Sequence, residues 1–590
     1  MQNYSFKKHY LTRSKYRDFH LFKNQDTLII ILIALTVGVN FLGLLFPISR
    51  NDDPTLYAVI AKNIILNHDW INLTYLNSDW LDKPHFQFWC TAISFVIFGI
   101  NSFAYMLPGF IFNLIGAYYT YKLGKYLFNK SIGLLSTLIF LSSIRILISS
   151  TVDLRAEAYL IGTIVPSCYY YLIYFQAKRF EIKSLIIASI YMACAIMTKG
   201  IFVVLLIGSG IVMPIIYQIW QESPHFLNSL RLTLIKITLA LALLLICITP
   251  ELYALYIQFD AHPEKIIFGK SHVSGIKWFL WDSQFGRFFN TGEITRNGVG
   301  DYAHYFFFIH TILWSFLPWS MVFLLSIYNI IKQKLFKNFN YLFLMCLFFI
   351  PFIVFSITTF QLDYYTNIII PFGAIICSAW IYDTAKNYSF HKIIYYFQIG
   401  LFGIIIIICL ITGWVILTGI YKYAVIIFGC VSFLIFVLSY HKNELTKVII
   451  CGVLMINITF INILSIYKEV YINYDAGYNI AKYINNKIPN CQLIDYKIDS
   501  LSMQFYLKSK YMYINSLNNL PIDKSDFYII TSSDNLLKIK SLYYMKHKNI
   551  QIIKYFQGTS IDQLPLIIKG DKSNIINYGL IKVSTTILSK

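Results

Sequence analysis

Charge is scarce in this chain. Asp, Glu, Lys and Arg make up 13% of its 590 residues while 57% are hydrophobic, a balance that excludes an ordinary soluble globular protein. Cysteine patterning is missing too. Ten cysteines are present, but none falls in a CxxC spacing, and all except Cys491 sit in apolar runs, so they read as small core residues and not as a disulfide or zinc framework. No small-residue cleavage signature follows the first apolar run, from about Thr27 to Pro47, so that run reads as an uncleaved signal anchor. Repeats of roughly 20–50 residues and low-complexity blocks are also lacking, which excludes solenoids and tail-like linkers.

What the chain has is a series of apolar runs, many reaching the roughly 20 residues that cross a bilayer core. The expected spans lie near 27–47, 102–121, 131–150, 156–175, 184–198, 201–220, 232–250, 304–331, 341–358, 365–382, 393–417, 423–440 and 448–467, or about 13 transmembrane helices. The connections YKLGKYLFNK, QAKRFEIK, KQKLFK and HKNELTK are rich in lysine, whereas TTFQLDYY has no Lys or Arg. This alternation predicts a cytoplasmic amino terminus and an extracytoplasmic carboxyl terminus. The formal charge of +20 then points to anionic lipid or phosphate and away from nucleic acid, which requires a large soluble basic surface.

Three regions are predicted on the outer side: 50–101, 251–302 and the tail 468–590. The chain therefore divides into a membrane domain, 1–467, and a small tail domain, 468–590. In the tail, GYNIAKYINNKI has helical spacing, and CQLIDYKI, YMYIN, DFYIITS and IQIIKYF read as strands, predicting a small α/β domain. It has no glycine-rich phosphate loop and no clustered nucleophile.

The chemistry is expected in the outer loops. A helix lying along the interface is predicted over Thr55 to Leu66, with Pro54 in its first turn and Asp53 as its N-cap. Lys62 and Asp69 read as solvated or headgroup-facing. A second interfacial helix starts at Pro84 in SDWLDKPHFQFW, with Trp70, Trp80 and Trp89 in an aromatic belt. Asp82-Lys83 stands at its start, where a lysine and free helix N–H groups suit a phosphate, although a plain local ion pair is the alternative. Two polar islands interrupt apolar sequence elsewhere: Asp153, Arg155 and Glu157 in SSTVDLRAEAYLIG, and Lys199 in ACAIMTKGIFVV. Ionisable groups at such depth face a cavity or a partner, and the predicted topology puts them all on the outer side with Asp53 and Lys83.

The ordered stretches DDPTLYAVIAKN, DW, LDKPHFQFW and FGINSFAYMLP, followed by DLRAEA and MTKG, resemble the bacterial GT-C membrane glycosyltransferases. The resemblance is to the branch holding lipid A aminoarabinose transferase and relatives of protein O-mannosyltransferases. It is best over residues 50–210 and visible as spacing to about 380. It implies a polytopic α-helical fold with a periplasmic active site in the inner membrane. It also implies inverting transfer of an aminosugar or hexose from undecaprenyl phosphate to lipid A or another envelope glycolipid, a protein hydroxyl being the alternative acceptor. By motif position, Asp53 resembles the catalytic aspartate and Asp153 the second acid. Lys83, Lys199 and Arg287 resemble contacts to the donor phosphate, and Tyr57, Arg155, Glu157, Tyr364 and Tyr365 substrate contacts.

Departures from the pattern are specific. Pro54 and Leu56 stand where relatives have an acid-arginine pair, Gln361 replaces a common lysine, and Gln284 in FLWDSQFGRFF stands where a metal-carrying histidine is found. A divalent cation is then left only with Asp82, His85 or His304, scattered without ligand spacing. A lipid-linked-sugar flippase is the alternative from another class. It predicts charges through the bilayer midplane, whereas the informative charges here fall on one predicted side.

Overall fold

The structure, a computed structural model, describes residues 26–585 apart from 49–51, 77, 223–225, 290, 292, 294–303, 359, 385–387, 439–443, 522–525, 545–547 and 560–574. The basic amino-terminal segment lies outside the described residues. Helices α1 (Asp26–Leu42), α2 (Asp53–Asn67), α3 (Phe86–Phe98), α4 (Ser102–Leu127), α5 (Lys130–Leu141), α6 (Ile144–Ser149), α7 (Ala156–Gln176), α8 (Ile182–Lys199), α9 (Phe202–Glu222) and α10 (Phe226–Cys247) form the first half. A second half follows with α11 (Thr249–Leu255), α12 (Ser283–Phe289), α13 (His304–Ser315), α14 (Ser320–Lys332), α15 (Phe339–Ile357), α16 (Ile370–Thr384), α17 (Tyr388–Val415), α18 (Gly419–Leu438) and α19 (Glu444–Ile466).

Every predicted apolar run is helical, but fewer of the described helices than the expected 13 or so are long and apolar enough to cross on their own. Among the described residues ten helices are long and apolar enough to cross a membrane, or eleven if the bent pair α13 and α14 is one span. The reasons are local. The run at 131–150 breaks at Ser142 and Ser143 into α5 and α6, both too short to span alone. The pair α13 and α14 bends by 116°. Helix α4 has the length, but its tyrosines, Asn113 and lysines leave it less apolar than the ten.

Close helix approach positions the segments that carry the charged islands. Helix α7 packs against both α4 and α8, and a Cβ on Gly162 would lie 2.2 Å from the Phe112 carbonyl oxygen. Only glycine permits that approach, the small-residue logic of helix packing in lipid. The first-loop helix α2 is more enclosed than a surface-lying helix: Tyr57, Ala58, Val59, Ile60, Ala61 and Ile64 are all buried, so apolar side chains run around most of it.

The tail begins after the last apolar helical stretch, which continues to Tyr474. It holds α20 (Ala476–Lys487), α21 (Leu501–Tyr506) and α22 (Ser533–Tyr544). A small hairpin in the first loop, β1 (Thr74–Tyr75) and β2 (Ser78–Asp79), precedes the tail strands in the chain. The tail strands are β3 (Leu493–Tyr496), β4 (Tyr511–Ile514), β5 (Phe527–Ser532), β6 (Lys548–Gly558) and β7 (Ile576–Thr585), in sheet order β4-β3-β5-β7-β6. The first three pair in parallel, and β7 runs antiparallel to both β5 and β6. Alternation of helix and strand thus gives a mixed α/β domain, as the spacing predicts.

Candidate active site

Helix α2 begins one residue away from the predicted cap. Asp52, not Asp53, is the N-cap, its Oδ1 accepting from the Asp53 N–H at 2.7 Å. Pro54 occupies the first turn as expected for a ring with no N–H to lose. The shift releases the Asp53 side chain from capping and leaves it 37% exposed.

Arg155, at the start of α7, gathers the carboxylates. Its Nε donates to Asp153 Oδ1 at 2.9 Å, Nη1 to Asp53 Oδ2 at 3.1 Å and Nη2 to Asp52 Oδ2 at 2.7 Å. Arg145 on α6 holds the other oxygen of Asp153 at 3.3 Å and reaches Asp363 at 3.3 Å. The Tyr364 ring lies under Arg155, 4.8 Å from the guanidinium carbon, with its hydroxyl 3.5 Å from Asp53 Oδ2. Lys199, at the end of α8, pairs with the buried Glu157 and sits 4.1 Å over the Tyr365 ring. Lys83 pairs with Asp82 at 2.8 Å. Burial first, and then Asp53 and Asp82, push the Tyr57 phenol well above its usual value, so it stays a neutral donor.

Nine of the eleven predicted site residues line one cavity of about 580 Å³: Asp53, Tyr57, Asp82, Lys83, Arg155, Glu157, Lys199, Tyr364 and Tyr365. Asp153 does not line it. Its side chain is 5% exposed and both oxygens face arginines. Arg287 is on α12, and its side chain lies outside the described residues. An apolar cavity of about 680 Å³, walled by residues such as Leu160, Phe202, Leu206 and Phe355, shares Glu157, Lys199, Phe360 and Tyr365 with the polar one. The two cavities therefore adjoin at these four residues, one lined by charged groups and the other mostly by apolar side chains.

The residues do not fit a resident divalent cation. His85 uses both ring nitrogens, Nδ1 at 2.9 Å from Glu251 Oε1 and Nε2 at 2.9 Å from the Ile71 carbonyl. Burial alone would lower its pKa, but the Glu251 carboxylate outweighs this and raises it. Asp82 is engaged by Lys83, and the His304 side chain lies outside the described residues. Gln284 offers an amide, a poor ligand beside an imidazole, and donates it to Ser283 Oγ at 2.7 Å. Among the described residues no group of three or more His, Cys, Asp or Glu is arranged to hold a metal.

Two first-loop residues expected at the surface are engaged instead. Lys62 is buried, donating to the carbonyls of Gln504, Phe505 and Leu507 at 2.7, 3.0 and 2.7 Å. Burial pulls its pKa down to about 8. Asp69 closes a turn, accepting from the N–H groups of Ile71 and Asn72 at 2.9 and 3.0 Å; burial opposes its ionisation, but these bonds lower its pKa. Residues missed in the sequence include Asp52, Arg145, Glu251 and Asp363. Arg145 and Glu251 carried the same signal as Lys199, an ionisable group in apolar sequence.

The comparisons with known proteins fit this picture. A family model described as dolichyl-phosphate-mannose-protein mannosyltransferase matches residues 82–253. The undecaprenyl phosphate-alpha-4-amino-4-deoxy-L-arabinose arabinosyl transferase of Wigglesworthia glossinidia brevipalpis is 30% identical over 30% of this chain and 31% of its own length. That of Proteus mirabilis (transferase 2) is 24% identical over 57% of this chain and 56% of its own. The matches thus span about a third to a half of these relatives. In three dimensions the likeness extends much further: ArnT from Cupriavidus metallidurans bound to undecaprenyl phosphate superposes with a TM-score of 0.70 at 16% identity, covering 94% of this chain and 98% of that one. The chain is thus a multi-pass membrane protein with the GT-C glycosyltransferase fold, in the form that the aminoarabinose transferase displays.

Proposed function

We propose that this protein is an inverting glycosyltransferase of the bacterial inner membrane. In this reading it takes a sugar, an aminosugar or hexose, from undecaprenyl phosphate and passes it at the periplasmic face to lipid A or another envelope glycolipid. The observation that carries this is the pair of adjoining cavities, one lined by cations and the other by apolar side chains, which meet at Lys199 and Tyr365. A polyprenyl phosphate has the matching shape, a phosphate followed by hydrocarbon. The names of the relatives, undecaprenyl phosphate-aminoarabinose transferases, support the donor class.

Acceptor oxygen attacks the anomeric carbon from the face opposite the phosphate. The C–O bond to phosphate breaks, its electron pair leaves with the polyprenyl phosphate, and the sugar inverts. Lys83, Lys199 and Arg155 stabilise the charge that grows on the leaving phosphate. Each ammonium carries three N–H donors, so a carboxylate partner leaves others for phosphate oxygens. Asp53 is the most exposed of the three carboxylates that line the cavity, with Asp82 and Glu157, and is assigned here to the acceptor. It takes the proton of a hydroxyl acceptor, whereas for an already ionised lipid phosphate it orients the nucleophile. Asp153 holds Arg155 and Arg145 in place without touching substrate.

Purified protein incubated with radiolabelled polyprenyl-phosphate sugars and lipid A tests the reading. Asp53→Asn, with an unchanged thermal midpoint, is expected to lower turnover about 10³-fold, roughly 4 kcal/mol of barrier. Wild-type turnover in that variant removes the proposed site. Transfer to a hydroxyl-bearing peptide, with none to lipid, establishes the protein-acceptor alternative, and sugar translocation without transfer establishes a flippase.

A further inference from the structure

A second and larger opening lies on the other side of α2. This cleft of about 3490 Å³ is bounded by α2, the end of the first span, the start of α4 and the segment 504–513 of the tail domain, from the end of α21 into β4, and it shares no lining residue with either central cavity. Its charge is one-signed. Five lysines line it and, among the described residues, no Asp or Glu does. Lys62 is spent on three backbone carbonyls. The other four are Lys468, Lys482, Lys508 and Lys510, and the last three are exposed.

The opposite wall is apolar. Leu44, Leu45 and Phe46 come from the end of the first membrane-length helix, and Leu66 and Phe103 complete the wall. Leu45 and Leu66 are 63% and 58% exposed. A soluble polyanion leaves such a wall in water, and an uncharged lipid leaves four ammonium groups without a counter-charge. The positive strip continues past Lys482 to Lys487 and Lys554 on the tail domain, in an opening that no described Asp or Glu lines.

We propose that this cleft binds a phosphate-bearing lipid of the bilayer, its headgroup on Lys482, Lys508 and Lys510 and its acyl chains along Leu45, Phe46 and Leu66. The site is separate from the central cavity and stands whether or not that cavity transfers sugar. Polybasic segments at a membrane surface attract anionic lipid in this way, and the apolar wall supplies the contact that keeps the lipid seated.

The test uses the full chain in detergent, titrated with phosphatidylglycerol or phosphatidylcholine, with retained lipid counted by native mass spectrometry. Phosphatidylglycerol is expected to be retained in preference. The double variant Lys508→Gln/Lys510→Gln is expected to weaken it about 25-fold, roughly fivefold for each lysine. Lys538→Gln/Lys540→Gln on α22, which removes equal charge elsewhere, and Lys83→Met in the central cavity are expected to retain it. Equal retention of the two lipids overturns the proposal, as does equal weakening by the α22 control. Loss in Lys83→Met alone assigns the lipid to the central cavity, and displacement of phosphatidylglycerol by millimolar inorganic phosphate makes the cleft a soluble-anion site. Both results also overturn it.

Discussion

The two openings flanking α2 treat charge in opposite ways. In the central cavity each cation faces a carboxylate: Arg155 meets Asp52, Asp53 and Asp153, Lys83 meets Asp82, and Lys199 meets Glu157. The outer cleft is lined by five lysines and, among the described residues, by no Asp or Glu. Matched charges are held in fixed geometry, which suits a site that must present donors to a transition state. Exposed lysines with no carboxylate on the same wall are not held by ion pairs there, which suits attraction without strict geometry.

Unbalancing the cavity is the sharpest way to break this contrast. Asp153→Asn removes the carboxylate shared by two buried arginines, and breaking such a buried pair costs about 3–5 kcal/mol. A large fall in the thermal midpoint in detergent is expected, and no fall would mean that Arg145 and Arg155 need no fixed partner. Lys83→Met comes next. It should lower turnover about 100-fold, some 3 kcal/mol of barrier, with little change in melting. Comparable losses from Lys83→Met and from a cleft lysine would erase the distinction between the two regions.

Lys62, the fifth lysine of the cleft, shows a third way of satisfying a cation, by backbone carbonyls. Lys62→Met leaves three acceptors unpaired and is expected to cost about 2 kcal/mol, with faster proteolysis of the tail domain as the readout. Smallest is the pH effect at His85. Its folded pKa is raised above the ordinary 6.5, so its stabilisation is complete below that value and is lost as pH rises through the folded pKa. Melting above neutral pH should therefore fall with rising pH in the parent protein, with a flatter slope in His85→Asn.

How much of this was legible in sequence depended on range. Run length and period were enough for the apolar helices and for four of the five tail strands, because those signals are local. The fifth, β7, is defined by pairing with β5 and β6, contacts that no single stretch announces. Most site residues were reachable because charge in apolar sequence is conspicuous, and their order resembled a known pattern. Their roles were not: Asp53 and Asp52 are neighbours, and only the start of α2 determines which one caps. Lys62 looked like surface because its partners lie more than 440 positions away. For Asp153, read from the resemblance as the second acid, sequence does not reveal that two arginines enclose it.

The three carbonyls around Lys62 have a consequence for how such a chain can be rebuilt. The helix that opens with Asp53 is fastened, nine residues later, to a strap that belongs to the tail. A shortened or hybrid version that exchanges the tail alone strands an ammonium inside the protein. The strap at 504–507 and helix α2 have to be inherited together, so tail replacement is expected to succeed only when this lysine and its acceptors come from the same parent.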